Sequence, residues 1–124
     1  MTIHAINHVQ LAFPSGAEHQ IRHFYARLLG LPELRTPVGE TLRFVAGGQR
    51  IDLVPTAQWQ PQPTVSHLAF EVQDLPRLRS RLLAAELALV ENRALPGYLR
   101  FYVKDPAGNQ LEFLEPDHEE RAAA

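Results

Sequence analysis

Length, composition and charge limit the classes of protein to which this sequence can belong. The chain has 124 residues, of which 45% are hydrophobic and 21% are charged, and its formal net charge at pH 7 is −2. This balance is typical of one soluble globular domain, and the mixed charges provide no basic surface for nucleic acid and no patch for an anionic membrane. With no cysteine in the chain, disulfides and thiolate metal ligands are excluded. The sequence has no signal-peptide pattern and no apolar run near the roughly 18 residues of a membrane helix, so we expect a cytoplasmic protein.

The first half of the sequence predicts a strand, a helix and three more strands. Apolar residues alternate over residues 3–13, as a half-buried strand requires. Over residues 17–29 the apolar spacing becomes helical, and Gly30 suits the end of that helix. Three short alternating segments follow, at residues 33–36, 41–45 and 49–54.

The second half repeats this order. It predicts a strand over 65–72, a helix opened by Asp74, and segments at 88–91, 98–104 and 110–114. The sequence Leu42-Arg43-Phe44 also recurs as Leu99-Arg100-Phe101. We therefore predict an α+β fold of two tandem βαβββ modules in one domain, with helices on the outer face of the sheets. The modules span about 3–55 and 65–115, joined by a proline-rich linker at 56–64 and followed by a frayed tail at 116–124.

Four possible metal ligands occupy matching positions in the two modules. Strand side chains alternate between faces, so His8 and His67 point away from the apolar side chains that neighbour them. By the same parity, Asp52 and Glu112 leave the helix-packed face of the closing strand of each module. Imidazoles and carboxylates of this kind suit Fe, Mn, Ni, Co or Zn. The alternative is a polar-lined pocket that holds no metal.

The other four histidines are weaker candidates for metal ligands. His19 and His23 have the helical spacing of a zinc pair, but the residues between them lack the glutamate of a metalloprotease helix. We assign both to a solvated helix face. His4 and His118 lie near the chain ends and remain unassigned.

The paired modules and the segments around these candidate ligands resemble the vicinal oxygen chelate superfamily. This superfamily includes glyoxalase I, fosfomycin resistance proteins, bleomycin resistance proteins and extradiol dioxygenases. The resemblance covers residues 3–115 and rests on three segments, Asn7-His8-Val9-Gln10-Leu11-Ala12, Ser66-His67-Leu68-Ala69-Phe70 and Asp105-Pro106-Ala107-Gly108-Asn109-Gln110-Leu111-Glu112-Phe113. It implies a half-open curved mixed sheet, or cup, that holds one divalent metal, and a homodimer with ligands from both subunits. By resemblance, His8, His67 and Glu112 are the ligands. Asp52 matches a fourth ligand that is normally Glu, so it is either a ligand or base, or a residue of the pocket.

The same resemblance implies a glyoxalase-like metalloenzyme that acts on a small oxygenated substrate by stabilising an enediolate or oxyanion, as lyases and isomerases do. Glu112 and Asp52 are the catalytic candidates. Parity also places Arg43, Arg100 and Tyr102 in the cup, where they would suit an anionic substrate, while Tyr98 and Trp59 would line its opening. Each of these side chains has the alternative of pairing with solvent or a neighbouring carboxylate, or of covering core.

Three other functions share these residues. A metal-free drug-binding protein of the bleomycin-resistance kind would use the same cup without catalysis. A fosfomycin-type thiol transferase would be expected to carry a Lys/Ser-rich loop where this chain has residues 91–97, and an extradiol dioxygenase usually contains four modules. The sequence therefore favours the glyoxalase-like metalloenzyme.

Overall fold

The computed structural model describes residues 1–35, 40–63 and 65–123. These residues form two compact units, Met1–Pro61 and Gln62–Ala124, called unit 1 and unit 2 below. Each unit combines a small sheet with helical segments, so the predicted α+β class is confirmed. Among the described residues, no helix is long and apolar enough to cross a membrane.

Unit 1 places one helical segment between its first two strands. Strand β1 is His8–Pro14, helix α1 is Glu18–Arg22 and continues as π-helical turns over His23–Leu28, and the remaining strands are β2 (Glu33–Leu34), β3 (Leu42–Ala46) and β4 (Gln49–Thr56). The sheet order is β1-β4-β3-β2, with β1 parallel to β4 and the other pairs antiparallel. The unit therefore has the predicted βαβββ order.

The helical segment of unit 1 contributes directly to its core. Ile21, Phe24 and Tyr25 have the spacing of one helical face and are buried. The Tyr25 ring stacks on Phe44 of β3, with ring centroids 5.4 Å apart. Burying aromatic rings of this size is a major stabilising contribution. It fixes which face of β3 and β4 meets the helix, and leaves the opposite face for polar side chains.

Unit 2 begins with the same strand and helix as unit 1, has the same closing pair of antiparallel strands, and then adds a short helix. Its elements are β5 (Leu68–Glu71), α2 (Leu75–Ala84), β6 (Tyr98–Lys104), β7 (Gln110–Pro116) and a terminal helix α3 (His118–Ala123). Strand β7 lies between β5, to which it is parallel, and β6, to which it is antiparallel. The ring of Phe113 packs against Phe70 and Phe101, with centroids 5.3 Å and 5.5 Å away.

A buried turn determines where β7 begins. The carboxylate of Asp105 accepts hydrogen bonds of 2.9 Å from the backbone N–H groups of Ala107 and Asn109 and from the Asn109 amide. A carboxylate that accepts several such bonds is well satisfied when buried. The turn therefore fixes the path of the chain from β6 into β7, and with it the position of Glu112.

Several predicted boundaries were wrong. The first strand starts at His8 instead of residue 3, and Ile3 and Ile6 are exposed. Residues 88–91 form only an isolated bridge between Val90 and Tyr102 instead of a strand. The tail predicted to fray contains α3. The predicted strand at 33–36 is observed over Glu33–Leu34, and its last residue, Thr36, lies outside the described residues, as does Thr64 of the linker.

Candidate functional site

His67 and Glu112 meet on the polar face of unit 2. Residue 69 is the strand partner of Glu112, and His67 lies two residues before it, so parity places His67 on the same face. The Nε2 atom of His67 lies 2.9 Å from Oε1 of Glu112. Glu112 is only 5% exposed. A buried carboxylate and an imidazole nitrogen therefore converge on one point.

The second ring nitrogen of His67 lies near a backbone carbonyl. Its Nδ1 is 3.4 Å from the carbonyl oxygen of Val65, a distance too long to fix the tautomer of the ring. With its hydrogen on Nε2, a neutral His67 donates a hydrogen bond to Glu112. With its hydrogen on Nδ1, Nε2 presents a lone pair beside the carboxylate, and this is the form that binds a metal ion.

The spacing of the two donor atoms fits a metal ion. Bonds of about 2.1 Å at a right angle place two ligand atoms about 3 Å apart, which matches the observed 2.9 Å. Metal-binding histidines also usually donate their other N–H to a carbonyl or carboxylate, and the Val65 carbonyl lies on that side of the His67 ring. The chemistry of this pair therefore suits a divalent metal.

Tyr102 lies directly opposite Glu112 on the neighbouring strand β6. It is 6% exposed, and its hydroxyl makes a hydrogen bond with the Glu112 carboxylate. Burial raises the pKa of Tyr102, and the neighbouring carboxylate raises that pKa further. Tyr102 therefore keeps its proton and donates to Glu112.

Two arginines complete the surroundings of Glu112. Arg100 Nη1 lies 3.5 Å from Glu112 Oε2, and Arg100 Nε donates to the carbonyl of Arg93 over 2.7 Å. Both guanidinium carbons lie close to the Tyr102 ring, 5.4 Å from its centroid for Arg100 and 5.3 Å for Arg93. Arg93 was not among the predicted site residues, because it lies on a loop where strand parity gives no information.

The ring of His8 in unit 1, like that of His67, has its Nδ1 near an oxygen atom. Its Nδ1 lies 2.8 Å from the side-chain oxygen of Asn7, and the residue is exposed. With Nδ1 bound to an oxygen acceptor, Nε2 is the nitrogen that a metal would take. Asn7 could have been recognised from the sequence, since it immediately precedes the candidate ligand.

Asp52 is 4% exposed and is bound by two arginines. Arg50 donates Nε and Nη2 to its two oxygens over 2.6 Å and 3.0 Å, and Arg43 Nε lies 3.9 Å away. The hydrogen bond to Asp52 raises the pKa of Arg50. Arg50 was missed in the sequence, although it lies two residues from Asp52 and therefore shares its face. The carboxylate is thus occupied by guanidinium groups within its own unit.

The strand register shows that the two Leu-Arg-Phe segments do not occupy equivalent positions in the two units. Asp52 is paired with Arg43, whereas Glu112 is paired with Tyr102. The structural equivalent of Arg43 is therefore Tyr102, and the two Leu-Arg-Phe segments are offset by two residues. An offset of two preserves parity, so Arg100 still lies on the face of Glu112.

The remaining predicted residues lie outside these two groups. The Tyr98 ring packs under Arg121 of α3, with the guanidinium carbon 4.7 Å from the ring centroid. Trp59 is half-buried after β4. Within the described part of either unit, no group of three or more His, Asp or Glu side chains is placed to hold a metal ion. Of the three predicted ligands, His67 and Glu112 lie together in unit 2, and His8 lies in unit 1.

Comparison with known proteins places these features in a family. The sequence profile of the Glyoxalase/Bleomycin resistance protein/Dioxygenase superfamily matches residues 5–113. A glyoxalase family protein from Bacillus anthracis shares 31% identity over 94% of this chain and 98% of its own, with a TM-score of 0.86. None of the curated proteins compared with the sequence matches it.

Two other solved structures share the fold at lower identity. The genomically encoded fosfomycin resistance protein from Listeria monocytogenes is 19% identical over 98% of both chains, with a TM-score of 0.78. Lactoylglutathione lyase from Agrobacterium tumefaciens is 22% identical over 90% of this chain and 92% of its own, with a TM-score of 0.71. From the profile match and the similarity to the Bacillus protein, we conclude that the chain belongs to the Glyoxalase/Bleomycin resistance protein/Dioxygenase superfamily.

Proposed function

We propose that this chain is a divalent-metal-dependent enzyme of the lyase or isomerase type, acting on a small oxygenated substrate, with His8, His67 and Glu112 as the metal ligands. The observation that carries the proposal is the 2.9 Å approach of His67 Nε2 to Glu112 Oε1. With the hydrogen of the His67 ring on Nδ1, both of these atoms present lone pairs and can bind one metal ion.

The donor set also supports the third ligand. In both histidines Nδ1 lies against an oxygen acceptor, the Val65 carbonyl for His67 and the Asn7 side chain for His8. This leaves the same atom, Nε2, on each ring for binding a metal. Two neutral imidazoles and one carboxylate suit Mn, Fe, Co, Ni or Zn. A metal in this set supplies a Lewis acid that stabilises negative charge on substrate oxygens.

The neighbouring side chains have separable tasks. Tyr102 donates to Glu112 and thereby orients the carboxylate, and Arg100 adds a positive charge 3.5 Å from Oε2. We assign proton transfer to Glu112, whose Oε1 lies 2.9 Å from Nε2 of His67. Asp52, which is bound by Arg43 and Arg50, is assigned to holding those two arginines.

We also propose that the protein is a homodimer. The family resemblance implies a half-open cup with ligands from both subunits, and a chain of 124 residues is short enough that a deep pocket would need a partner subunit. Light scattering at micromolar concentration is expected to give twice the mass of the chain, and a monomer would contradict ligands shared between subunits.

Metal analysis tests the proposal. Tag-free protein purified without added metal is expected to contain about one transition metal per chain, and His67→Ala is expected to lose it. The matched control is His19→Ala, since His19 is exposed on α1. A wild-type protein that contains no metal, and does not bind added Mn, Fe(II), Co, Ni or Zn, would contradict the metalloenzyme and favour a metal-free binding protein.

A further inference from the structure

The sheet face of unit 1 that carries His8 also carries two guanidinium groups on one buried carboxylate. We propose that Arg43 and Arg50, held by Asp52, form a subsite for an oxyanion of the substrate: a carboxylate, phosphate or phosphonate. The substrate of the proposed enzyme would then be an anion. The inference rests on the proposed function only in assigning this anion to the substrate, since binding at the arginines does not itself need a metal.

The exposure of the three side chains differs in a way that favours an anionic ligand. The side chain of Asp52 is 5% exposed, whereas those of Arg43 and Arg50 are 28% and 32% exposed. A ligand arriving from solution therefore meets the two cations and not the carboxylate that pairs with both of them. The three side chains carry a formal charge of +1 in a chain whose formal net charge is −2.

The hydrogen bonds of Arg50 leave it able to bind a second anion. Its Nε and Nη2 donate to Asp52 over 2.6 Å and 3.0 Å. Among the described residues no acceptor is bound to Nη1, so this atom is a further donor. A guanidinium with a fixed orientation loses little conformational entropy on binding, and its planar donors match carboxylate and phosphate oxygens. Asp52 is in this sense a positioning residue, because it acts through the arginine.

The subsite lies beside the proposed metal ligand of the same unit. His8 and Arg50 are partners in the parallel pairing of β1 with β4, and neighbouring strands are about 4.8 Å apart. Gln10, the strand partner of Asp52, is exposed on the same face and adds an amide donor. An anion on Arg50 would therefore lie within reach of a substrate oxygen near His8.

A purely structural ion-pair group would have the same contacts but a different response to ligands. Its arginines would stabilise β3 and β4 and would not bind anions specifically. The two roles are separated by measuring anion binding instead of stability.

The test is isothermal titration calorimetry of the metal-free full-length protein with inorganic phosphate and with malonate, at low and constant ionic strength. Wild type is expected to bind at least one of the two. Arg43→Gln and Arg50→Gln are each expected to weaken binding by about tenfold, and Arg50→Lys to weaken it less, because charge is kept and the planar donors are lost. The preferred probe distinguishes a phosphate or phosphonate substrate from a carboxylate.

The control is Arg79→Gln, which removes the same charge from an exposed pair with Glu91 in unit 2. Its affinity for either probe should equal that of wild type. The inference is overturned if wild type binds neither probe, or if all three Arg→Gln variants weaken binding equally. Circular dichroism identifies any variant that has not folded, and Arg50→Lys then provides the comparison.

Metal content separates this inference from the proposed function. Protein that retains one metal per chain but binds neither probe would leave the metalloenzyme standing and remove the anion subsite. Protein that binds phosphate or malonate through Arg50 but binds no metal would do the opposite.

Discussion

The hydroxyl of Tyr102 donates a hydrogen bond to the carboxylate of Glu112 from the directly opposed position on the neighbouring strand. Tyr102→Phe removes this donor from a carboxylate that is only 5% exposed. We expect the free energy of unfolding, measured with urea, to fall by about 1–2 kcal/mol. Metal affinity should fall by about tenfold, as is common when the partner of a ligand is removed.

Tyr98→Phe is the matched control for this variant. Tyr98 begins the same strand, and its described contact is made by the ring, which packs under Arg121. Loss of its hydroxyl should leave both quantities close to the wild-type values. Equal losses in the two variants would mean that the Tyr102 hydroxyl does not support Glu112 specifically.

Asp52→Asn tests whether the buried carboxylate holds the two arginines of unit 1. Asparagine keeps the shape but loses the charge that pairs with Arg43 and Arg50. Because both arginines are about a third exposed, water compensates part of the loss, and we expect a destabilisation of about 1–3 kcal/mol in urea unfolding. Arg50→Gln should reproduce much of this loss, and the double variant should cost less than the sum of the single ones. Fully additive losses would show that the two side chains act independently.

Side-chain parity is the part of the site that could be predicted from sequence. Alternation along a strand places His8, Asp52 and Arg43 on one face of unit 1 and Glu112 and Arg100 on one face of unit 2, as the structure does. Parity depends only on the two-residue repeat of side-chain direction along a strand, so an error in where the strand begins or ends does not change it. The chemical roles of these residues stay predictions.

Register could not be predicted in the same way. The recurring Leu-Arg-Phe segments suggest that Arg43 and Arg100 are equivalent, yet the pairing makes Tyr102 the equivalent of Arg43. Register is set by the turns that connect the strands, such as the buried Asp105 turn before β7. For the same reason, the pairing of Asp52 with Arg43 became visible only in the structure.

The pair Arg79–Glu91 gives a pH-dependent prediction. Arg79 donates two hydrogen bonds to Glu91, and these lower the pKa of Glu91 below its ordinary value of 4.5. A lowered folded-state pKa means that the pair stabilises the fold above about pH 4.5, and that this contribution is lost as pH falls through the pKa of folded Glu91. Both side chains are exposed, so the contribution is small.

An NMR titration of the Glu91 carboxyl carbon measures this effect directly. In Arg79→Gln the pKa of Glu91 should rise towards 4.5, while in Arg77→Gln, a change on the same helix, it should stay at the wild-type value. If the pKa of Glu91 is the same in wild type and Arg79→Gln, the pair does not form in solution.

The terminal helix α3 provides the last prediction, because it was expected to fray and is instead attached to unit 2. Arg121 Nε donates to the carbonyl of Gly97 over 3.0 Å, and its guanidinium lies over the Tyr98 ring. A helix of six residues has little stability by itself, so these contacts hold it. They also restrain the start of β6, close to the loop that carries Arg93.

In Arg121→Ala we expect the Tyr98 amide, which donates to the Leu95 carbonyl, to exchange its hydrogen faster. The free energy of global unfolding should change by less than about 1 kcal/mol, because an exposed cation–π contact and one hydrogen bond are modest contributions. Glu119→Ala, on the exposed part of the same helix, should leave exchange at Tyr98 unchanged. If hydrogen exchange at Tyr98 is unchanged in Arg121→Ala, or is accelerated equally in both variants, α3 does not restrain this loop. The order around Arg93 would then depend on the contacts of Arg93 with Arg100 and Tyr102.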